Sequence, residues 1–211
     1  MVNYPDKYIV LDIETTGLSV EDAEIIDIAF IEYGPGGIKQ DEWHTLVCPQ
    51  KQPPKHILEL TGIQGEELYQ APVFSEIIDE IIGWLGYINK DCPLDTYNGT
   101  KFDIPILIRH IGEAPPAHCR QLKDDFCHWD ALTIARQRLP GLASYSMTNV
   151  YEHLTGLTHS DAHRAWQDCL CLALIWEMIK DLNPHDALRK ALAKTDQDPI
   201  VHKALLSLQP H

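Results

Sequence analysis

The chain has 211 residues, the size of one domain or of one domain with a short appendage. Its hydrophobic fraction of 45% is sufficient for a full core, and no run of about 18 apolar residues predicts a membrane span. The net charge of −14 argues against a long nucleic-acid footprint, although metal ions could neutralise phosphate in a local pocket. Six cysteines without an export signal predict reduced thiols in a cytoplasm.

Three strands are predicted at the start of the chain. Tyr8–Ile13 is rich in β-branched and aromatic residues, and Glu24–Tyr33 alternates between apolar and polar positions. A glycine- and proline-rich turn at residues 34–37 leads into a third strand at Asp41–Cys48. This order of strands and turn predicts an antiparallel meander.

Helices and one further strand, Leu94–Asn98, follow the meander. The mixture predicts an α/β domain with a mixed sheet. We divide the chain into a domain over residues 1–183 and a C-terminal helical extension over residues 184–211, packed on that domain. The predicted helices are His56–Leu60, an amphipathic helix that begins at Ser75, Asp103–Ile111, Trp129–Leu139, Ser146–Leu154, Ala162–Leu182, Asp186–Lys194 and Pro199–Leu208.

Two acids interrupt the first strand near its end. Because side chains alternate along a strand, Asp12 and Glu14 project from the same side. Neighbouring carboxylates at the end of a buried strand repel each other and lose hydration, and a cation would compensate that cost. In the alternative interpretation the strand ends at Ile13, and Glu14 is a solvated loop acid.

Two later segments supply further acids and a histidine. Asp103 follows the Asn98-Gly99 turn and begins a helix, where capping that helix is its alternative role. Asp168 lies in an apolar helix, in which a carboxylate should be exposed, paired or bound to a metal. His163 and Asp168 are five positions apart, about 140° on a regular helix. They can share one site only if His163 lies on the loop or first turn that enters the helix.

These residues together form a candidate catalytic set. Acids that each lie beside a turn make an oxygen-rich site of the kind that suits Mg²⁺ or Mn²⁺. Two such ions about 4 Å apart would stabilise the attacking and the leaving oxygen of a phosphodiester displacement. A histidine would take the proton from the attacking water. The residue chemistry therefore predicts two-metal phosphodiester hydrolysis by Asp12, Glu14, Asp103, Asp168 and His163.

Three ordered segments carry this set: Asp12-Ile-Glu14-Thr-Thr-Gly-Leu18, Asn98-Gly-Thr-Lys-Phe102-Asp103 and His163-Arg-Ala-Trp-Gln-Asp168. They resemble the motifs of the DnaQ-like exonucleases, in the subclass with four acids and a histidine (DEDDh). The middle segment is similar to the TREX-type version. Leu60-Thr-Gly-Ile63 also resembles a linker of that family, which more often has His-Gly-Ile. The resemblance covers roughly residues 8–182.

The resemblance implies a ribonuclease-H-like fold, an α/β mixed five-stranded sheet flanked by helices, and 3′→5′ removal of single nucleotides. It assigns Asp12 to both metal ions, Glu14 and Asp168 to the ion that activates water, and Asp103 to the second ion. His163 would be the general base. The cofactors implied are two Mg²⁺ or Mn²⁺ ions.

The resemblance also implies contacts with the substrate end. The backbone at Thr15 and Thr16 would meet the terminal 3′-OH, and Asn98 would orient a strand or phosphate. Apolar contact with the last base or sugar is sequence-tolerant, so the expected hydrolysis is non-specific. The side chains implied for that apolar contact are Leu18, Phe102 and Ile63, each of which could instead belong to the core.

We predict a stand-alone 3′→5′ exonuclease that prefers single-stranded or frayed DNA ends and releases nucleoside 5′-monophosphates. An exoribonuclease on short RNA or tRNA ends has the same motifs and differs in its use of the 2′-OH. A proofreading subunit docked on a polymerase and a homodimer also remain open. A non-catalytic binding subunit would have a broken carboxylate set, whereas the set in this chain is complete. No membrane partner is expected.

Overall fold

The computed structural model describes residues 4–114, 126–158 and 163–180. Its described strands form one five-stranded sheet in the order β3-β2-β1-β4-β5. The first three pair antiparallel, while β4 pairs parallel with β1 and β5 pairs parallel with β4. The strands are β1 Tyr8–Thr15, β2 Ile25–Gly34, β3 Ile38–Leu46, β4 Leu94–Thr96 and β5 His128–Asp130.

Seven helices surround this sheet in the described part of the chain. Local signals set the ends of several of them: the Ser146 hydroxyl accepts from the Asn149 N–H at 3.2 Å, and Gly156 ends the same helix in a left-handed conformation. The helices are α1 Lys55–Thr61, α2 Gly65–Gln70, α3 Phe74–Tyr87, α4 Asp103–Glu113, α5 Ala131–Arg138, α6 Met147–Thr155 and α7 Ala165–Lys180.

The central strand β1 is covered on both faces. Ile9 and Leu11 pack in one core cluster with the apolar faces of α3 and α4. Tyr8 and Val10 point the other way, into a second cluster formed with α5, α6 and α7. None of the helices in the described ranges is long and apolar enough to cross a lipid bilayer. Because helices cover both of its faces, β1 is a continuous apolar run up to Asp12.

The fold confirms the predicted mixed five-stranded sheet and its opening meander, with some differences in the elements. The strand β5, His128–Asp130, lies beside β4, although its last two residues were placed in a predicted helix at Trp129–Leu139. Three residues are too few to show strand alternation, and the side chain of Asp130 accepts from two backbone N–H groups to start α5 at Ala131. The short helix α2 was not predicted. The predicted extension over residues 184–211 lies outside the described residues, so that domain division stays a prediction.

Candidate active site

The end of β1 carries the first two acids on the face toward α7. Asp12 lies opposite Ala29, whose side chain belongs to the cluster that α7 covers, and Glu14 lies opposite Asp27. The pairing slips between Glu14 and Thr15, which ends the regular ladder. Asp12 and Glu14 are both partly exposed. The strand therefore presents two carboxylates at the rim of the sheet, as the alternation predicts.

A tight turn between β4 and α4 places Asp103. Asn98 has a φ of 63°, and a Cβ at residue 99 would lie 2.1 Å from the hydroxyl oxygen of Thr96, so only glycine fits there. The carboxylate of Asp130 accepts from the backbone N–H groups of Asn98 at 3.2 Å and Thr100 at 3.4 Å. Asp103 follows as the first residue of α4 and is 5% exposed.

The start of α7 brings His163 and Asp168 together. His163 precedes the helix, with a left-handed φ of 73°, and Asp168 lies in the first helical turn. The backbone N–H of His163 donates to Oδ2 of Asp168 at 3.0 Å. This is the arrangement that the five-residue spacing requires, because the histidine lies outside the regular helix.

The side chains from these elements converge on one point. Ligand atoms of Glu14, His163 and Asp168 all lie within 4.8 Å of one another. Asp12 is electrostatically coupled to the carboxylates of Asp168, Asp103 and Glu14, in that order of strength. The structure thus assembles all five residues predicted as catalytic, from three separated segments, next to the C-terminal end of the central strand β1.

Burial raises the pKa of each of these acids, and repulsion from nearby carboxylates adds to the shift. Loss of hydration, followed by repulsion from Asp168 and other acids, raises the pKa of Glu14 to about 8 and that of Asp12 well above its usual range. Burial raises the pKa of Asp103 to about 7, although hydrogen bonds from its own N–H and that of Ile13 oppose the shift. Burial likewise raises the pKa of Asp168 to about 7. The cluster is therefore under electrostatic strain at neutral pH.

A divalent cation fits this donor set. Carboxylate oxygens are the ligands that Mg²⁺ and Mn²⁺ prefer, and the short distances among Glu14, His163 and Asp168 allow several donors to reach one ion. A bound cation would offset the loss of hydration and the repulsion that together raise the four pKa values. The residues that would hold it are Asp12, Glu14, Asp103 and Asp168.

The residues predicted to contact substrate fall into two groups. Leu18 is 88% exposed, Asn98 is exposed and Phe102 is partly buried against the α3–α4 cluster, so the first two are accessible. Ile63 is only 1% exposed and packs with Ile26, Ile57 and Leu68. Its predicted role as an apolar substrate contact is therefore not supported, because neighbouring side chains already enclose it.

The turn after β1 uses the two threonines internally. The Thr15 hydroxyl donates to the Gly17 carbonyl oxygen at 2.7 Å, and the Thr16 hydroxyl accepts from the Glu24 N–H at 2.9 Å. The Thr16 N–H donates to the Glu24 carbonyl oxygen at 2.9 Å. That N–H is already paired within the fold, so it is a poor candidate for the terminal 3′-OH. The backbone contacts predicted at Thr15 and Thr16 stay predictions.

Two acids near the site were missed from the sequence. Asp130 ties the Asn98 turn to α5, and Asp27 is fully buried between β2 and the start of α7. Asp27 could have been noticed because it interrupts the apolar run of β2. Its contacts depend on long-range packing that no local pattern reveals.

Comparison with known proteins identifies the family. A family model described as an exonuclease domain matches residues 9–176, which include all three motifs. The chain belongs to this exonuclease family. The match confirms the resemblance to DnaQ-like enzymes and the predicted 3′→5′ exonuclease class. The likeness of the middle motif to the TREX-type version stays a prediction.

Two curated relatives illustrate the range of the family. The chain is 29% identical over 181 residues to the DNA polymerase III epsilon subunit of Aquifex aeolicus, covering 80% of this chain and 78% of that protein. It is 28% identical over 187 residues to the 3′-5′ exonuclease DinG of Staphylococcus aureus, covering 87% of this chain but 19% of that protein. The exonuclease domain thus occurs both as most of a protein and as a small part of one.

Solved structures share the fold. E. coli exonuclease I in complex with a dA16 oligonucleotide superposes with a TM-score of 0.68 at 20% identity, over 96% of this chain and 45% of that one. The same enzyme has been crystallised with single-stranded DNA in a zinc-bound form, with a TM-score of 0.67 and 18% identity over 89% of this chain and 43% of that one. The chain spans less than half of exonuclease I, so this likeness concerns the nuclease fold alone.

Proposed function

We propose that this exonuclease removes nucleotides one at a time from the 3′ ends of single-stranded DNA and releases nucleoside 5′-monophosphates. The observation that carries the proposal is the convergence of Glu14, His163 and Asp168 within 4.8 Å, coupled to Asp12 and Asp103. Hydrolysis of a phosphodiester needs charge stabilisation and a proton acceptor close together, and this cluster offers both.

Two divalent cations, Mg²⁺ or Mn²⁺, are part of the proposal. Asp12 would contact both ions, Glu14 and Asp168 one of them, and Asp103 the other. When bound, the ions would stabilise charge on the attacking and leaving oxygens of the phosphodiester. The raised pKa values of the four acids support this role, because burial and repulsion from neighbouring acids both oppose their ionisation, and bound cations would offset both.

His163 is proposed to accept the proton of the attacking water. Its side chain is exposed and lies beside Glu14 and Asp168, so it can reach both solvent and the carboxylates. The left-handed backbone at His163 and the hydrogen bond from its N–H to Asp168 hold the residue outside the helix. An imidazole is well suited to this transfer near neutral pH.

The end of the DNA strand is proposed to lie across the loop that follows β1. Leu18 stands out there with 88% of its surface exposed, and Phe102, which directly precedes Asp103, is partly exposed. Apolar packing against a base or sugar needs no particular base, so digestion would be insensitive to sequence. DNA is preferred to RNA because the relatives include DNA polymerase III subunits and the superposed exonuclease I holds a dA16 oligonucleotide.

A second role is proofreading beside a DNA polymerase. It is favoured by the likeness to the epsilon subunit of Aquifex aeolicus DNA polymerase III, of which this chain covers 78%. The two roles use the same site and differ in whether the isolated chain is active. Full activity of the purified chain would favour the stand-alone enzyme, and stimulation by a polymerase would favour the subunit.

The direct test uses 5′-labelled single-stranded DNA and RNA of the same sequence, digested with Mg²⁺, Mn²⁺ or EDTA. We expect a ladder that shortens from the 3′ end of DNA, with weak digestion of RNA and none in EDTA. A ladder on RNA alone would replace the DNA proposal with an exoribonuclease. Cleavage of neither substrate, alone or with a polymerase, would contradict hydrolysis at this site.

A further inference from the structure

A further carboxylate on the β1–β2 ladder lies next to the candidate active site. Asp27 is fully buried on β2, directly opposite Glu14 in the antiparallel register. A fully buried carboxylate is costly unless it is paired, so its contacts indicate what it does.

Both oxygens of Asp27 are used, and one of them faces the start of α7. Oδ1 lies 2.9 Å from Nε2 of His44 on β3. Oδ2 accepts from Nε of Arg164 at 3.2 Å and from the backbone N–H of Ala165 at 3.4 Å. The carboxylate therefore joins the meander to the two residues that follow His163.

Those two contacts matter because His163 has an unfavourable backbone. Its φ of 73° is in the left-handed region, which a residue with a side chain adopts at a cost and keeps only when its surroundings enforce it. On the His163 side, its own N–H is held by Asp168. On the other side, the next two residues are held by Asp27. The histidine is thus fixed between two carboxylate anchors.

We propose that Asp27 is a positioning residue for His163: by holding Arg164 and the Ala165 N–H, it keeps the imidazole beside Glu14 and Asp168. The inference depends on the proposed role of His163 as the proton acceptor. Asp27 itself touches neither substrate nor cation in this account. Loss of its oxygens would let the turn relax and move the imidazole, and a displacement of about 1 Å can cost about a hundredfold in rate.

The main variant is Asp27→Leu, which keeps the branching at Cγ but accepts no hydrogen bond. At a metal concentration that saturates each variant, we expect kcat on single-stranded DNA to fall about 10- to 100-fold and KM to change less than about threefold. Asp27→Asn keeps one acceptor oxygen for Arg164 and Ala165, so it should retain most of the activity. Glu42→Gln is the matched control, because Glu42 also joins the meander to α7, through Nε1 of Trp166 at 2.8 Å. It should stay within about twofold of the wild type.

If Asp27 positions His163, the effects of Asp27→Leu and His163→Ala on kcat should not be additive. If Asp27 acts through the histidine, Asp27→Leu should slow the His163→Ala enzyme by less than about threefold. Amide hydrogen exchange of the metal-free protein should be faster at Ala165 in Asp27→Leu and unchanged in Glu42→Gln. If Asp27→Leu does not fold, Arg164→Met gives the same test from the other partner, with the same expected loss of kcat and the same non-additivity.

The outcomes separate this inference from the proposed function. If His163→Ala is as fast as the wild type, the proposed proton acceptor is wrong and the inference fails with it. If His163→Ala is slow but Asp27→Leu is as fast as the wild type, only the positioning role is overturned. Equal losses from Asp27→Leu in both backgrounds would also overturn it, because the carboxylate would then act independently of His163.

Discussion

The two faces of β1 differ in polarity: one is apolar along its length, and the other ends in two acids. On one face Ile9, Leu11 and Ile13 are buried in a cluster with α3 and α4. On the other face Tyr8 and Val10 begin in the same way, but Asp12 and Glu14 replace apolar residues where the strand reaches the start of α7. The first face stabilises the fold through apolar burial. The second face brings several carboxylates together, which lowers the stability of the fold. The proposed catalytic chemistry needs these carboxylates.

The difference separates residues that stabilise the fold from residues that serve hydrolysis at a cost in stability. A residue on the apolar face should affect activity only through the folded fraction. An acid on the other face should affect hydrolysis directly, while its loss should make the metal-free protein more stable. The variants below test that separation, from the largest expected effect to the smallest.

Asp12→Ala should abolish hydrolysis of single-stranded DNA, because Asp12 is the acid coupled to each of the other three. A site that holds cations between several carboxylates cannot lose its central ligand without losing charge stabilisation. The measurement is the rate of 3′ shortening of a labelled oligonucleotide at saturating Mn²⁺. Hydrolysis at the wild-type rate would place the chemistry elsewhere on the molecule.

His163→Ala should lower kcat by about 10²–10⁴-fold, the usual contribution of a general base, while Mn²⁺ binding survives. Binding of Mn²⁺ can be followed by calorimetry in parallel with single-turnover hydrolysis. If turnover is unchanged, another group accepts the proton. Loss of Mn²⁺ binding would instead identify the histidine as a ligand.

On the apolar face, Ile81→Ala should reduce the free energy of unfolding by about 2–5 kcal/mol, because Ile81 is fully buried against β1. The exposed Ile108 on α4 is the matched control, and its replacement by alanine should change stability by less than about 0.5 kcal/mol. Chemical denaturation measures both. The activity per folded molecule should be unchanged in Ile81→Ala, and a specific loss of kcat would break the separation of the two faces.

The smallest effect concerns the metal-free protein. Because burial raises the pKa of Asp168 to about 7 from an ordinary value near 4, the folded state holds a proton that the unfolded state releases. Stability should therefore fall as pH rises from about 4 through about 7. Asp168→Asn should remove this cost at pH above about 7 and raise Tm by about 2–4 °C per kcal/mol relieved.

A control for that measurement is Glu80→Gln, which replaces an exposed acid on α3. It should leave the dependence of Tm on pH as in the wild type. Adding Mn²⁺ should raise the Tm of the wild type more than that of Asp168→Asn, since a ligand stabilises the state that binds it. A metal-free wild type that gains stability between about pH 5 and pH 8 would have the wrong sign for this account.

Much of the site could be predicted because its signals are local. The alternation of a strand places Asp12 and Glu14 on one side, and the 140° separation on a helix requires His163 to lie outside α7. The family match supports the enzyme class that those motifs indicate. The assignment of individual roles to the five residues stays a prediction.

Other features depend on contacts between distant segments and could not be predicted. Asp27 becomes a link to Arg164 only when the register of β2 and the docking of α7 are both set. Strand β5 has three residues, so its pattern is too short to distinguish from the helix that follows it. Ile63 occupies a motif position that suggested a substrate contact, yet its neighbours in α1 and α2 bury it.

The most direct measurement of the central claim is the number of protons released when Mn²⁺ binds, obtained by calorimetry at about pH 6.5 in buffers with different ionisation enthalpies. We expect the release of at least one proton per wild-type molecule, because acids with pKa values of about 7 to 8 must ionise to bind the cation. Asp12→Asn should bind Mn²⁺ more weakly and release fewer protons. Binding without proton release in the wild type would contradict the claim that these acids form one buried site whose raised pKa values a bound cation lowers.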